Sequence, residues 1–152
     1  MRSFILSTLT GLSIFAATSA FAAGDDVMTK DTAQPFADVS AAVEDAVINR
    51  GYKIDYHGLI GEMLKRTAED VGATKELYSN AEFFTFCSAV LSRKVMEADA
   101  GDIAYCPYVL FLYERADMPG KITVGFRKLP EGGPRDEVNE LLTEIVTEAT
   151  EE

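Results

Sequence analysis

The sequence has 152 residues, with 25 acidic and 14 basic side chains and a formal net charge of −11 at pH 7. Nucleic acids and anionic membranes bind proteins with a surplus of Lys and Arg, so this balance argues against both as the main partner. A hydrophobic fraction of 47% is enough for one core and too high for a disordered chain.

The first 22 residues have the three parts of a secretory signal peptide. Arg2 supplies the basic end, an apolar stretch follows, and a small-x-small cleavage site ends at Ala22. Ser and Thr interrupt the apolar stretch, which is therefore a poor membrane span. We expect cleavage after Ala22 and a mature protein that is periplasmic or secreted. Residues 23–34 are small and polar and are predicted to be an N-terminal tether that can carry one short strand.

Residues 35–149 are predicted to form one domain, with an acidic tail at 150–152. Apolar residues at helical spacing predict a helix from Phe36 that ends at Gly51. Alternation of apolar and polar residues then predicts a strand over 52–56. Helical spacing returns from residue 59 to residue 71, and the polar stretch 73–80 is predicted to be a connection.

The second half of the domain begins with an aromatic-rich strand over 82–87. Ser88 can cap the helix that follows. The apolar run 103–113 predicts a strand buried on both faces, whose regular part begins near Tyr108 because Pro107 cannot donate a ladder hydrogen bond. A partner strand over 122–127 and a final amphipathic helix complete the order. The predicted fold is α+β, with a small sheet of about four strands and helices packed on it.

Four local motifs of this chain resemble the DUF302 (TT1751-like) family of bacterial domains. The first is Pro35-Phe36 before a helix that ends in Arg50-Gly51-Tyr52; the others are Phe86-Cys87-Ser88, Met96-Glu97-Ala98-Asp99 and Cys106-Pro107-Tyr108. Their order and spacing cover residues 36–129. The resemblance implies a compact α+β domain that tends to form homodimers, and it implies no settled activity.

The two cysteines of an exported protein suggest a disulfide between Cys87 and Cys106. If the strands at 82–87 and 108–115 formed a parallel crossover unit, however, the two residues would lie at opposite edges of the sheet. The sequence therefore leaves three states open: a disulfide, two buried thiols, or a reactive thiol. Cys87 precedes a helix N-terminus, so it is the better candidate for a lowered thiol pKa.

His57 is the only histidine and follows a strand, where side chains often reach the mouth of a pocket. One His and two Cys cannot form an ordinary four-ligand zinc site, so we predict no metal centre. A Ser-His-Asp or Cys-His site could only use His57, and we predict no catalytic residues. A haem held by His57 with Met63 or Met96 stays open as an alternative. Arg93 with Lys94 forms a small basic spot that can bind an anion.

Seven aromatic residues on two neighbouring strands predict either core packing or a partly exposed wall for a planar ligand or a dimer partner: Phe83, Phe84, Phe86, Tyr105, Tyr108, Phe111 and Tyr113. The function that we expect is binding of a small ligand or an accessory role with a periplasmic protein, without catalysis. The alternatives are a periplasmic redox or haem protein that uses Cys87, Cys106 or His57, and a structural role. The candidate ligand-binding residues are His57, Cys87, Tyr105, Tyr108 and Arg93.

Overall fold

The computed structural model describes residues 26–151, so the predicted signal peptide lies outside the described residues. Five strands form one antiparallel sheet in the order β1-β5-β4-β3-β2. The strands are β1 (Val27–Thr32), β2 (Ile54–Gly58), β3 (Tyr78–Phe86), β4 (Tyr108–Arg115) and β5 (Ile122–Arg127). The helices are α1 (Phe36–Ile48), α2 (Ile60–Thr67), α3 (Ala89–Ala98) and α4 (Arg135–Thr150), with a 3₁₀ segment at Ala100–Tyr105. The α+β prediction is confirmed.

One face of the sheet carries the core. Residues at every second position of β3, β4 and β5 point to this face and pack against α1 and α4, and all of those at the centre are fully buried: Phe84, Phe86, Tyr108, Leu110, Leu112, Val124 and Phe126. α1 contributes Val39, Val43 and Val47, at the helical spacing that the sequence shows. Ser88 caps α3, and its hydroxyl accepts a hydrogen bond from the backbone N–H of Leu91.

The segment 23–34, predicted to be a tether, supplies the fifth strand. β1 pairs antiparallel with β5 along its whole length, from Val27 opposite Arg127 to Thr32 opposite Ile122. The optional short strand of the tether is thus an integral edge of the sheet. Its sequence alternates only weakly in polarity, so the pattern alone did not separate it from a linker.

The conditional parallel crossover is wrong. β3 and β4 are antiparallel neighbours, with Phe86 opposite Tyr108 and Phe83 opposite Phe111. α3 and the 3₁₀ segment therefore form a long connection that returns to the edge of the sheet at which β3 ends. The prediction that β4 is buried on both faces is also wrong, because Val109, on the face away from α1, is exposed.

Asp31 fastens β1 to β5. Its carboxylate accepts hydrogen bonds from Lys121 at 2.8 Å and from the Thr123 hydroxyl at 2.7 Å. These hydrogen bonds, with that from Lys121 the stronger influence, lower the pKa of Asp31 below its ordinary 3.8. A lowered pKa in the folded state stabilises the protein above pH 3.8 and loses that effect as the pH falls through the lowered pKa.

We predict that Asp31→Asn lowers the free energy of unfolding at neutral pH and that its difference from the native protein shrinks on the acid side of pH 3.8. Urea unfolding over this pH range measures the difference. Asp55→Asn, an exposed change on the opposite edge strand, is the matched control and should show a smaller change with pH. A difference for Asp31→Asn that stays constant with pH would contradict the assignment.

Candidate functional site

His57 lies on β2 directly opposite Phe84, and its ring stacks on that phenyl ring with centroids 4.1 Å apart. Its Nε2 is 3.0 Å from Oε2 of Glu82, and the Ser40 hydroxyl donates to the same oxygen at 2.7 Å. The histidine side chain is 38% exposed. One carboxylate thus joins β2, β3 and α1 at the rim of the core.

The order of these three side chains decides what they can do. In a hydrolase triad the imidazole lies between the hydroxyl and the carboxylate and takes the hydroxyl proton. Here Glu82 lies between Ser40 and His57, so the hydroxyl donates to the carboxylate and has no contact with the imidazole. The arrangement does not activate a serine nucleophile, and it stabilises the junction of β2 with α1.

Cys87 and Cys106 are joined by a disulfide, with their Cα atoms 6.4 Å apart. The antiparallel pairing of β3 with β4 brings the end of one strand beside the start of the other. The resulting Cα–Cα distance lies in the range that a disulfide requires. The bridge is half-buried. The Ser92 hydroxyl lies 3.7 Å from the Cys106 sulfur and 3.1 Å from the hydroxyl oxygen of Tyr108.

Tyr108 is 2% exposed, so this candidate ligand-binding residue belongs to the core. Burial raises the pKa of its hydroxyl above the ordinary value. Tyr105 is half-buried and borders a shallow cleft with Arg127 and Lys128. Arg93 is exposed and pairs with Glu97 one helical turn away at 3.0 Å. The structure does not bring these three residues together with His57.

The aromatic residues divide between the two faces of the sheet. Phe84, Phe86 and Tyr108 pack in the core, whereas Phe83, Phe111 and Tyr113 lie on the opposite face and are only half-buried. We call that opposite side the open face. Tyr56 of β2 adds to it, 61% exposed and with its ring centroid 5.7 Å from that of Phe83.

A separate cavity of about 390 Å³ lies between α2 and the segment 73–78. We call it the α2 pocket. Its apolar lining is contributed by Leu64, Ala68, Val71, Ala73, Leu77 and Tyr78, and its polar lining by Thr67, Thr74, Lys65, Lys75 and Glu76. Neither His57 nor Cys87 lines this pocket or any of four other surface cavities of the described residues.

The α2 pocket exists because β2 is shorter than its neighbour. β2 covers only the second half of β3, and the chain then turns into α2, with Gly61 against the backbone of Ala81. A side chain at residue 61 would meet the Ala81 nitrogen at 2.9 Å, so glycine permits this close approach. α2 is amphipathic, yet none of its eight residues is fully buried, which leaves part of its apolar side unfilled.

Comparison with known proteins found no family model and no curated protein that matches this chain. A solved structure does match: the uncharacterized conserved protein DUF302 from Bacillus stearothermophilus. It superposes with a TM-score of 0.66 at 12% sequence identity, over 83% of this chain and 99% of the other. The chain has a DUF302 fold.

The residues of the α2 pocket were not among the candidates from the sequence. The sequence predicts the helix over 59–71 but predicts a polar connection over 73–80, whereas β3 begins at Tyr78. The available signal was Leu77-Tyr78 at the end of that connection, together with an amphipathic helix for which no packing partner was predicted. Within residues 26–151, no cluster of three or more His, Cys, Asp or Glu could hold a metal ion.

We predict that reducing the disulfide, or replacing both cysteines (Cys87→Ser with Cys106→Ser), lowers the free energy of unfolding by about 3 kcal/mol, because the bridge restricts a loop of 19 residues in the unfolded chain. Urea unfolding of oxidised and reduced protein measures this loss. Alkylation in denaturant without reductant should label no thiol. Two labelled thiols in protein from an oxidising compartment would contradict the bridge.

Proposed function

We propose that this chain is an exported, non-enzymatic member of the DUF302 family that binds a small molecule in the α2 pocket. Export rests on the signal-peptide pattern of residues 1–22, and family membership rests on the four sequence motifs and the shared fold. The observation that carries the binding function is the α2 pocket itself. A cavity of about 390 Å³ with a mainly apolar lining lies within the size range of small-molecule sites.

The distribution of exposed apolar side chains supports this location. Four large hydrophobic residues of this short region face solvent: Leu59, Met63, Val71 and Leu77. Val71 is 73% exposed and Leu77 is 53% exposed, and both line the pocket. A cluster of exposed hydrophobic residues is typical of a binding site, because the protein gains stability when a ligand covers it.

The contacts of the other candidate residues favour structural roles for them. Glu82 holds His57 against the core, and the two cysteines form one bridge at the edge of the sheet. The haem alternative would need the His57 ring nitrogen to be free for iron, and a redox role would need a thiol to reach the half-buried bridge. They therefore have less support than the α2 pocket.

We further propose that the protein is a homodimer whose subunits meet at the open face. Tyr56 and Val109 are exposed there at the two sides of Thr85, in one row across three strands. Half-buried Phe83 and Phe111 lie in the next row, so apolar surface continues across the middle of the sheet. Removal of this apolar surface from water contributes about 25 cal/mol per Å², which is offset in part by the freedom that the two copies lose on association.

The pocket is tested with the neutral fluorescent probe N-phenyl-1-naphthylamine, whose emission rises in an apolar site. We predict saturable binding to the native protein and loss of that binding in Ala68→Phe, because the phenyl ring fills the cavity. Ala41→Phe, an exposed change on α1, is the matched control and should bind like the native protein. Equal binding by both variants would place the probe elsewhere and refute the site.

The homodimer is tested by sedimentation equilibrium. We predict a dimer for the native protein and a monomer for Tyr56→Lys with Val109→Lys, because two charges at the centre of the contact must be desolvated. Val90→Lys with Ile103→Lys changes two exposed apolar residues away from the open face and should remain dimeric. A monomeric native protein, or dissociation of both variants, would overturn the proposal.

A further inference from the structure

The helical period sorts the charged side chains of α2. The residues of this region that line the pocket recur at intervals of three and four positions, namely Gly61, Leu64, Lys65, Thr67, Ala68 and Val71. Glu62 and Glu69 lie outside that lining. Glu62 of α2 and Glu69 beyond its end therefore lie away from the pocket, while Lys65 borders it.

Lys75 enters the lining from the opposite wall. Within the described part of the chain, neither Lys65 nor Lys75 forms an ion pair, which is equally true of Lys53 and Arg66 outside the pocket. Two lysines against one acidic lining residue, Glu76, leave the pocket with one surplus positive charge. The whole chain has a net charge of −11, so this surplus runs against the overall balance.

Lys75 influences the carboxylate of Asp117, but that carboxylate is already hydrogen-bonded to Arg115. Asp117 accepts hydrogen bonds from Arg115 at 2.8 and 2.7 Å. These lower the pKa of Asp117, and Lys75 adds only a smaller electrostatic contribution. The ammonium group of Lys75 therefore remains available for an anion at the pocket.

We propose that the ligand of the α2 pocket is an amphiphilic anion, with an apolar body in the cavity and one acidic head group bound by Lys65 and Lys75. This inference rests on the proposed function and adds the chemical class of its ligand. The apolar body covers Leu64, Val71 and Leu77. The carboxylate, sulfonate or phosphate head group supplies a negative charge to pair with the two ammonium groups. A neutral molecule of the same size gains no charge-assisted hydrogen bond from the two exposed ammonium groups.

Two probes with the same aromatic body distinguish binding in the apolar pocket from recognition of an acidic head group. 8-Anilino-1-naphthalenesulfonate carries a sulfonate, and N-phenyl-1-naphthylamine lacks it. We predict that Lys65→Gln with Lys75→Gln weakens binding of the sulfonate about tenfold. The reason is that the loss of a hydrogen bond to a charged group changes an affinity by about this factor. Binding of the neutral probe should not change. The sulfonate affinity should also fall as salt concentration rises.

The matched control is Lys53→Gln with Arg66→Gln, which removes two exposed positive charges outside the pocket and should leave both affinities unchanged. Equal loss of sulfonate binding in the two double variants would overturn the proposal, since net charge alone would explain it. Sulfonate binding that depends on Ala68 but not on the lysines would overturn the ligand class and keep the pocket. Failure of both probes to bind would refute the proposed function itself.

Discussion

β3 and β4 pair antiparallel from Tyr78 opposite Arg115 to Phe86 opposite Tyr108, and the other elements take their positions from this pair. It brings the two cysteines to one edge of the sheet, where a disulfide closes the long connection through α3. It also turns alternate aromatic residues to opposite faces, so that one set fills the core and the other forms the open face. The core and the two candidate binding surfaces all depend on this register.

The α2 pocket follows from the unequal lengths of β3 and its other neighbour, β2. β3 has nine residues and β2 has five, so the first half of β3 would be an unprotected edge if α2 did not cover it. An eight-residue helix with no fully buried residue protects the edge but does not fill the space beside it. The remaining space is apolar on the inside and carries Lys65 and Lys75 on its walls. Protection of the edge and formation of the cavity thus have one cause.

The sequence predicted the fold class, most of the helices and strands, and the cap at Ser88, because these depend on local periodicity and capping. Strand direction depends on which strands become neighbours, which periodicity does not specify, and this is why the Cys87–Cys106 bridge stayed open. Alternation could not assign the aromatic residues to faces before the register was known. The pocket was missed because it is formed by residues 61–78, which come together only when α2 folds back on the start of β3.

We propose that the α2 pocket is the ligand site of this protein, and the rest of the proposed function depends on it. The most direct test is an NMR titration of ¹⁵N-labelled protein with N-phenyl-1-naphthylamine, in which the backbone amide chemical shifts are followed. The account predicts saturable shifts concentrated at residues 61–68 and 73–78 on the two walls of the pocket. Shifts concentrated on the open face around Phe83 and Phe111, with α2 unchanged, would contradict it.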